Sequence, residues 1–426
     1  MKHEIKNKMD IIKNQKELDG YRITALGVYP SKWEIKKIED ISINVKAGGT
    51  PSTKYDNYWN GDIPWMSSGE INKRIIFETD RMITKLGYEN SSTSMIPENS
   101  VLIALAGQGK TRGKVAINKI KLCTNQSLAS IITNNTTHYY YLFYNLEYRY
   151  EEIRSLSSGD SGRGGLNLKI INNISIPLPP LPEQQKIASI LSTWDKAIEL
   201  KEKLIEEKKK QKKGLMQKLL TGEVRLPGFD EYWKEVRLGD IIKSITRKTK
   251  ENNQYEVLSC TKDGIVKQSD HFNKQIASDN NIGYKILEKG QLVLSPMNLW
   301  IGGIDISDFD IGIVSPAYKV YTINYNIVGK NYFRTLLRSD YMISIYDSIS
   351  QKGASVVRKN LSISDFENII VRLPNNKDEI DKIDTILHHC TKEISLLVQE
   401  LEALKLQKKG LMQLLLTGIV RVNTEN

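Results

Sequence analysis

Cysteine is scarce in this chain: Cys123, Cys260 and Cys390 are the only three among 426 residues, and none belongs to a Cys-x-x-Cys pair. An odd number at such wide separations argues against a disulfide framework or a cysteine-based zinc site and fits a reducing compartment. Long apolar runs are missing too. Val101 to Ala106 is far shorter than the roughly 20 residues a membrane helix needs. The opening MKHEIKNKMDIIKNQKELDG is charged throughout and has no apolar signal core. The expectation is a soluble, cytoplasmic protein. Catalytic signatures are absent as well: there is no GxSxG, no HExxH and no EF-hand spacing. There is no Asn-Pro-Pro-aromatic motif of amino-methyltransferases and no Pro-Asp pair to open the common nuclease signature. His388, His389 and Cys390 are adjacent on a helical pattern, so they point about 100° apart and cannot converge on one ion. The chain therefore reads as non-catalytic, with no metal or cofactor of its own.

What is present is charge and repetition. Sixty-one Lys and Arg against 50 Asp and Glu leave a formal charge of +11, which suits a polyanionic partner without identifying one. KKGLMQKLLTGEVRL at Lys212 to Leu226 returns as KKGLMQLLLTGIVRV at Lys408 to Val422, identical at twelve of fifteen positions and offset by 196. Upstream of each copy the same offset carries a heptad seam. The first runs Ile187, Leu191, Trp194, Ile198, Lys201, Ile205, Lys208, Lys212, Leu215, Leu219. The second runs Ile383, Leu387, Cys390, Ile394, Leu397, Leu401, Leu404, Lys408, Leu411, Leu415. Each predicts a long helix that begins after a proline-bearing segment and stops at a Thr-Gly, Gly222 or Gly418. Two helices leaving similar domains should pack antiparallel, as a rod with an approximate two-fold axis. The run Lys208 to Lys213 reads as a solvated helix face.

The repeat resurfaces earlier, where Leu26, Tyr29, Trp33, Ile38, Asp40 and Ile41 match Leu226, Phe229, Trp233, Leu238, Asp240 and Ile241. The predicted unit is thus a globular α/β segment followed by a long helix, present twice. Both globular segments mix short strands with a helix, Tyr139 to Ile153 and Asn331 to Ile345. Their aromatics (Tyr140, Tyr141, Phe143, Tyr144; Tyr332, Phe333, Tyr341) read as core. A polar loop follows each helix, at Ser155 to Gly165 and Ser348 to Asn360. These loops offer Ser158, Arg163, Lys352, Ser355 and Arg358 for phosphates or base edges.

Ala104 to Thr111, ALAGQGKT, fits a relaxed phosphate-loop pattern, and a P-loop ATPase is the enzyme-class alternative. A working loop needs a helix next, so that backbone N–H groups face the phosphates. The residues that follow, RGKVAI, alternate as a strand does. A hairpin tip presenting Lys110, Arg112 and Lys114 to DNA phosphate is the better reading. A coiled-coil scaffold without a DNA role is the third.

Taken together, IPLPPLPEQQKIASIL at Ile176 to Leu191, the KKGLMQ repeat, RLPGF-x3-W at Arg225 to Trp233 and GDIPWMSSGEI at Gly61 to Ile71 resemble the specificity subunits of type I restriction-modification systems. The second proline segment, VRLPNNKDEIDKI, departs from the usual PP-x-x-EQ form and leaves the start of the second helix open. The resemblance implies an α+β chain with two tandem target recognition domains and two antiparallel coiled-coil spacer helices. The boundaries are an N-terminal tail or loose helix at 1–25, domains at 26–181 and 223–374, helices at 182–222 and 375–421, and a tail at 422–426. It also implies double-stranded DNA as ligand, read as an asymmetric bipartite target. Two methyltransferase subunits and restriction/translocase subunits are the implied partners. S-adenosylmethionine, ATP and Mg2+ would be bound by those partners, not by this chain.

Overall fold

Both heptad seams form the helices they predict. The first long helix, Leu181–Thr221, has 41 residues, and the second, Lys377–Leu416, has 40. The second start, left open by the sequence, is at Lys377. Each helix ends just before a left-handed glycine, Gly222 at φ +72° and Gly418 at φ +71°, which lets the chain reverse without a Cβ clash. Nearly every seam position is buried or half-buried, Leu215 being the exposed exception.

This computed structural model describes residues 19–107, 111–157, 164–271, 280–352 and 359–424. The chain folds as two compact units, 1–201 with 400–426, and 202–399. Each unit holds one globular domain plus a segment of both long helices. In the first, Lys201 pairs with Glu400 at 2.8 Å and Asp195 with Lys408 at 2.6 Å, so the segments run antiparallel. In the second, Lys208 meets Glu393 at 2.6 Å and Lys212 meets Thr391 at 2.8 Å, in the same sense. Lys208 and Lys212 are therefore half-buried against the opposite helix, and the basic run is only partly a solvated face.

The globular parts repeat one layout although their sequences diverge. In the first, Glu34–Lys37 leads through the helical turn Ile38–Ile41 into Ser42–Ala47. In the second, Lys234–Arg237, Leu238–Ile241 and Ile242–Ile245 do the same. The matched pairs Ile38/Leu238 and Ile41/Ile241 are all buried, which is why that stretch of the repeat survives. The main sheet of the first unit runs Ser42–Ala47, Leu128–Thr133, Val101–Ala104, Val115–Asn118, with Ile75–Ile76 at the edge. That of the second runs Ile242–Ile245, Lys319–Ile323, Leu292–Leu294, Ile304–Ile306, the same order without the edge strand. A closing strand, Ser175–Leu178 or Ile370–Leu373, pairs antiparallel with the opening one and delivers the chain to its long helix.

The single helix expected after the sheet is two, Tyr139–Tyr148 and Tyr150–Ser155, or Lys330–Leu337 and Asp340–Ile349, and a further short helix, Leu168–Asn172 or Ile363–Glu367, precedes the closing strand. In the first unit the break falls at Arg149, whose side chain turns back to bind Glu152 and the Ser175 carbonyl. Tyr141, Phe143, Tyr144, Tyr332 and Phe333 are buried as expected, whereas Tyr341 is 56% exposed. The long helices also feed these cores. Ile187, Leu191, Met412 and Leu415 join the first, and Leu219, Leu220, Ile383 and Leu387 the second. Residues 21–24 of the expected tail are instead a strand, Tyr21–Thr24, paired with Gly27–Pro30 and tied down by a Tyr21 hydroxyl bond to the Gly418 carbonyl at 2.7 Å.

Among the described residues no helix is long and apolar enough to cross a membrane. No group of His, Cys, Asp or Glu among them is arranged to hold a metal ion. His388 and His389 are exposed with rings 5.9 Å apart, while Cys390 is half-buried on the seam.

Candidate nucleic-acid interface

The sheet strands Val101–Ala104 and Val115–Asn118 form an antiparallel hairpin, with Ile103 opposite Val115. The Gly113 amide donates to the Ala104 carbonyl at 2.8 Å, and Gly113 sits at φ +83°. Among the described residues a turn and then a strand, not a helix, follow Thr111, so the helix whose N-terminus a phosphate loop needs is missing there. The post-helix loop of the same unit lies against this tip. The Leu166 amide donates to the Leu105 carbonyl at 2.9 Å, and the Arg112 guanidinium donates to the Gly164 carbonyl. Lys114 bonds the Asn72 side chain at 2.6 Å and lines a small cavity with Arg74, Glu147 and Tyr150. Of the expected DNA-contact residues, Arg112 and Lys114 are thus half-buried and engaged with the protein. Lys110, Ser158, Arg163, Ser355 and Arg358 lie outside the described residues, as does the side chain of Lys352.

The second unit repeats this meeting of hairpin tip and loop. Leu292–Leu294 and Ile304–Ile306 form the hairpin, and the Leu361 amide donates to the Pro296 carbonyl at 3.3 Å. Leu361 follows a short ladder in which Gln351–Lys352 pairs with Lys359–Asn360. Sequence reading missed the tip at residues 295–303, because it holds no charged side chain to draw attention.

Behind these ends, clasps join each domain to its helix segments. In the first unit Arg421 binds Glu183 through Nε and Nη2 at 2.5 and 2.6 Å, and Glu183 also accepts from Trp33 Nε1 at 3.2 Å. In the second, Arg225 binds Glu379 at 2.7 Å through each nitrogen. Both glutamates are almost wholly buried, at 3% and 1% exposure. Both arginine–glutamate pairs stand 196 residues from their counterparts, so the repeat's final arginine does the same work twice. That signal was legible in the sequence but was not read as a contact.

A charged network adds to the first clasp. Arg74 binds Glu147 at 2.6 Å and Asp195 at 3.0 Å, and the Tyr144 hydroxyl donates to Asp195 at 2.7 Å. Burial pushes the Asp195 carboxyl up, but the Arg74 and Lys408 charges outweigh it and hold it below the usual carboxylate range. The carboxyl facing Lys212 in the second unit is replaced by Thr391. There burial lowers the lysine's pKa, aided by Arg334 and Arg338 and opposed by Cys390.

Residues 30–209 match the family model of the type I restriction modification DNA specificity domain. The chain is 26% identical over 445 residues to the type I restriction enzyme MjaIX specificity subunit of Methanocaldococcus jannaschii, covering 94% of this chain and 96% of that one. It is 27% identical over 443 residues to the MjaVIII specificity subunit of the same organism, covering 97% of each. This chain is a relative of the type I restriction specificity subunits. Its fold is shared by the solved S subunit of the M. genitalium type I restriction-modification system, with a TM-score of 0.54 at 15% identity over 90% of this chain and 96% of that one. A chain solved in work on complex assembly and conformational transition of the type I R-M system gives 0.58 at 15% identity, over 92% and 99%. The family-model match ends at residue 209, within the first long helix, whereas the similarity to the full-length relatives extends over 94–97% of the chain.

Proposed function

We propose that this protein is the DNA-reading specificity subunit of a type I restriction-modification complex. It contacts an asymmetric bipartite duplex target with two recognition domains. The observation that carries the reading is the doubled unit: one sheet order, one hairpin tip beside one post-helix loop, and one Arg–Glu clasp, each present twice. Two reading units on one chain suit a target with two half-sites. Divergent sequences at 34–175 and 234–370 suit half-sites that differ. The long helices act as spacer and, through their Lys- and Glu-rich outer faces, as the docking surface for two methyltransferase subunits, with restriction/translocase subunits joining that assembly. The chain is non-catalytic and cytoplasmic. S-adenosylmethionine, ATP and Mg2+ belong to the partners. In the proposed contact set Arg112 and Lys114 hold the first tip in shape. Lys110, Ser158, Arg163, Lys352, Ser355 and Arg358 are the proposed outward contacts.

The experiment is co-expression with the cognate methyltransferase, followed by methylation mapping of the host genome. A bipartite, non-palindromic motif is the expected outcome. A palindromic motif, or methylation independent of this chain, would overturn the reading.

A further inference from the structure

A small three-stranded sheet in the first unit has no counterpart in the second among the described residues. Trp59–Met66 is its middle strand, paired with Cys123–Thr124 on one side and Arg81–Ile83 on the other. Trp59 and Trp65 are buried, at 8% and 3% exposure, and meet edge to face at 5.1 Å. Each indole spends its N–H on a loop carbonyl, Trp59 on Ser52 at 3.3 Å and Trp65 on Gly49 at 3.0 Å. Arg81 sits over them, its guanidinium carbon 3.8 Å from the Trp59 ring centre and 5.5 Å from that of Trp65. Arg81 is exposed, and among the described residues its guanidinium meets no carboxylate or carbonyl. The adjacent carboxyl, Asp80, is taken by Lys73 at 2.6 Å. A planar cation held on an aromatic face keeps its fork of N–H donors at a fixed angle, open to an acceptor outside the protein.

The loop that the tryptophans hold is tied to the basic hairpin tip of the same unit. The Gly49 amide donates to the Thr124 carbonyl at 2.8 Å, and a Cβ at Gly48 would lie 2.1 Å from that oxygen, so loop and turn are pressed together. The Thr50 hydroxyl donates to Gln126 Oε1 at 2.5 Å. From the same turn the Ser127 carbonyl accepts from the Leu105 amide, at the base of the tip, at 2.8 Å. Thr50, Ser52, Thr53 and Lys54 are exposed along the loop and offer the hydroxyl and ammonium groups that bind phosphate oxygens. Tip, turn, loop and Arg81 are thus joined contact by contact, and a duplex backbone complements their charge. We infer that Arg81, seated on Trp59, is a phosphate anchor that positions the duplex without reading a base. The inference rests on the DNA-reading function proposed above.

The test uses the full chain assembled with its methyltransferase, as wild type and as Arg81→Gln, on the mapped target and on scrambled duplex across a salt series. The variant should bind both duplexes about tenfold more weakly, keep its preference for the target, and flatten the salt slope by about one. Arg81→Lys should keep the slope, because the charge stays. Methylphosphonate duplexes locate the contact: neutralising one phosphate should weaken wild-type binding and leave that of Arg81→Gln unchanged. An unchanged salt slope in Arg81→Gln would overturn the inference. So would a lost preference for the target, which marks a base contact, or weaker methyltransferase assembly with DNA binding intact, which marks a protein partner. Failure of the wild-type assembly to prefer the mapped target over scrambled duplex would instead sink the DNA-reading function itself.

Discussion

In the first unit the buried Glu183 accepts from Arg421 and from Trp33 Nε1, and Trp33 is itself fully buried. In the second the matching Trp233 keeps its ring beside Arg225, with the guanidinium carbon 5.7 Å from the ring centre, but its buried Nε1 has no hydrogen-bond partner. Glu379 therefore depends on Arg225. A similar divergence separates Asp195, which gathers Arg74, Tyr144 and Lys408, from Thr391, whose hydroxyl accepts from Lys212 and donates to the Leu387 carbonyl of its own helix. Identical residues were kept where both units need the same join, while the polar groups filling space around the join drifted independently. One motif thus sits in two environments of unequal strength, and perturbing matched residues should give unequal losses.

The largest difference should come from the clasp arginines. Removing one partner of a buried pair strands the other charge and costs roughly 3–5 kcal/mol, less where the removed partner is partly exposed. Arg225 and Arg421 are 25% and 36% exposed. Arg225→Ala should destabilise the second unit by about 3 kcal/mol. Arg421→Ala should cost the first about 2 kcal/mol, because Trp33 still donates to Glu183. Hydrogen exchange of the sheet strands reads each unit separately and checks the order. A larger loss for Arg421→Ala would show that the tryptophan bond gives no support.

Next come the helix-ending glycines. Both have φ near +70°, so alanine at either is strained by about 1 kcal/mol. At Gly418 the new Cβ would also lie 2.5 Å from Pro30 Cγ, whereas at Gly222 its nearest neighbour is the Trp233 ring at 3.4 Å. Gly418→Ala should therefore cost about 1–3 kcal/mol beyond the strain shared with Gly222→Ala. Equal exchange rates in the two variants would mean that the Pro30 turn yields freely.

How much of this was readable beforehand follows from which contacts are periodic. The heptad rule places Ile187, Leu191, Ile383 and Leu387 on their buried faces because helical spacing is local. The turn at Ile38–Ile41 and its copy were legible for the same reason. The shared sheet order was hidden, since strands such as Leu128–Thr133 and Lys319–Ile323 find their neighbours through long-range pairing that leaves no common sequence. The candidate site was read through its charges. That reading found the hairpin and the loop of the first unit but put Arg112 and Lys114 outward. Nothing local shows that Arg112 meets the Gly164 carbonyl 52 residues on. It also passed over Arg81, whose seat on the Trp59 ring is a contact between strands that spacing does not reveal.

A smaller effect attaches to Asp195. A carboxyl held below its usual range contributes stability that is complete above the unfolded value near 3.9 and fades as pH falls through the lower folded value. Asp195→Asn should cost the first unit about 1–2 kcal/mol at neutral pH, since hydrogen bonds to a charged partner are lost. It should also flatten the decline of that unit's stability below about pH 4. Urea midpoints between neutral pH and acid, followed by exchange in each unit, test both. An unchanged acid slope would mean that Arg74 and Lys408 lean on Glu147 instead.

The smallest expected change runs the other way and repairs the second unit. Lys212 is half-buried beside Thr391, and its pKa is lowered, mainly by burial. Between that lowered value and the unfolded value near 10.4 the unfolded chain binds more protons, so the second unit should gain stability as pH rises through this window. Thr391→Asp would place at this position the carboxyl that Asp195 supplies to Lys408. Thr391 is exposed, so the new pair is worth only about 0.3–1 kcal/mol and should weaken with salt. The alkaline gain in stability should shrink at the same time, because a neighbouring carboxylate restores the lysine's affinity for its proton. Exchange protection of Ile242–Ile245 and Lys319–Ile323 at pH 7 and at pH 9.5 measures both effects within one unit. If protection falls at pH 7, the space beside Lys212 does not accept a carboxylate, and the two clasps differ in shape as well as in charge.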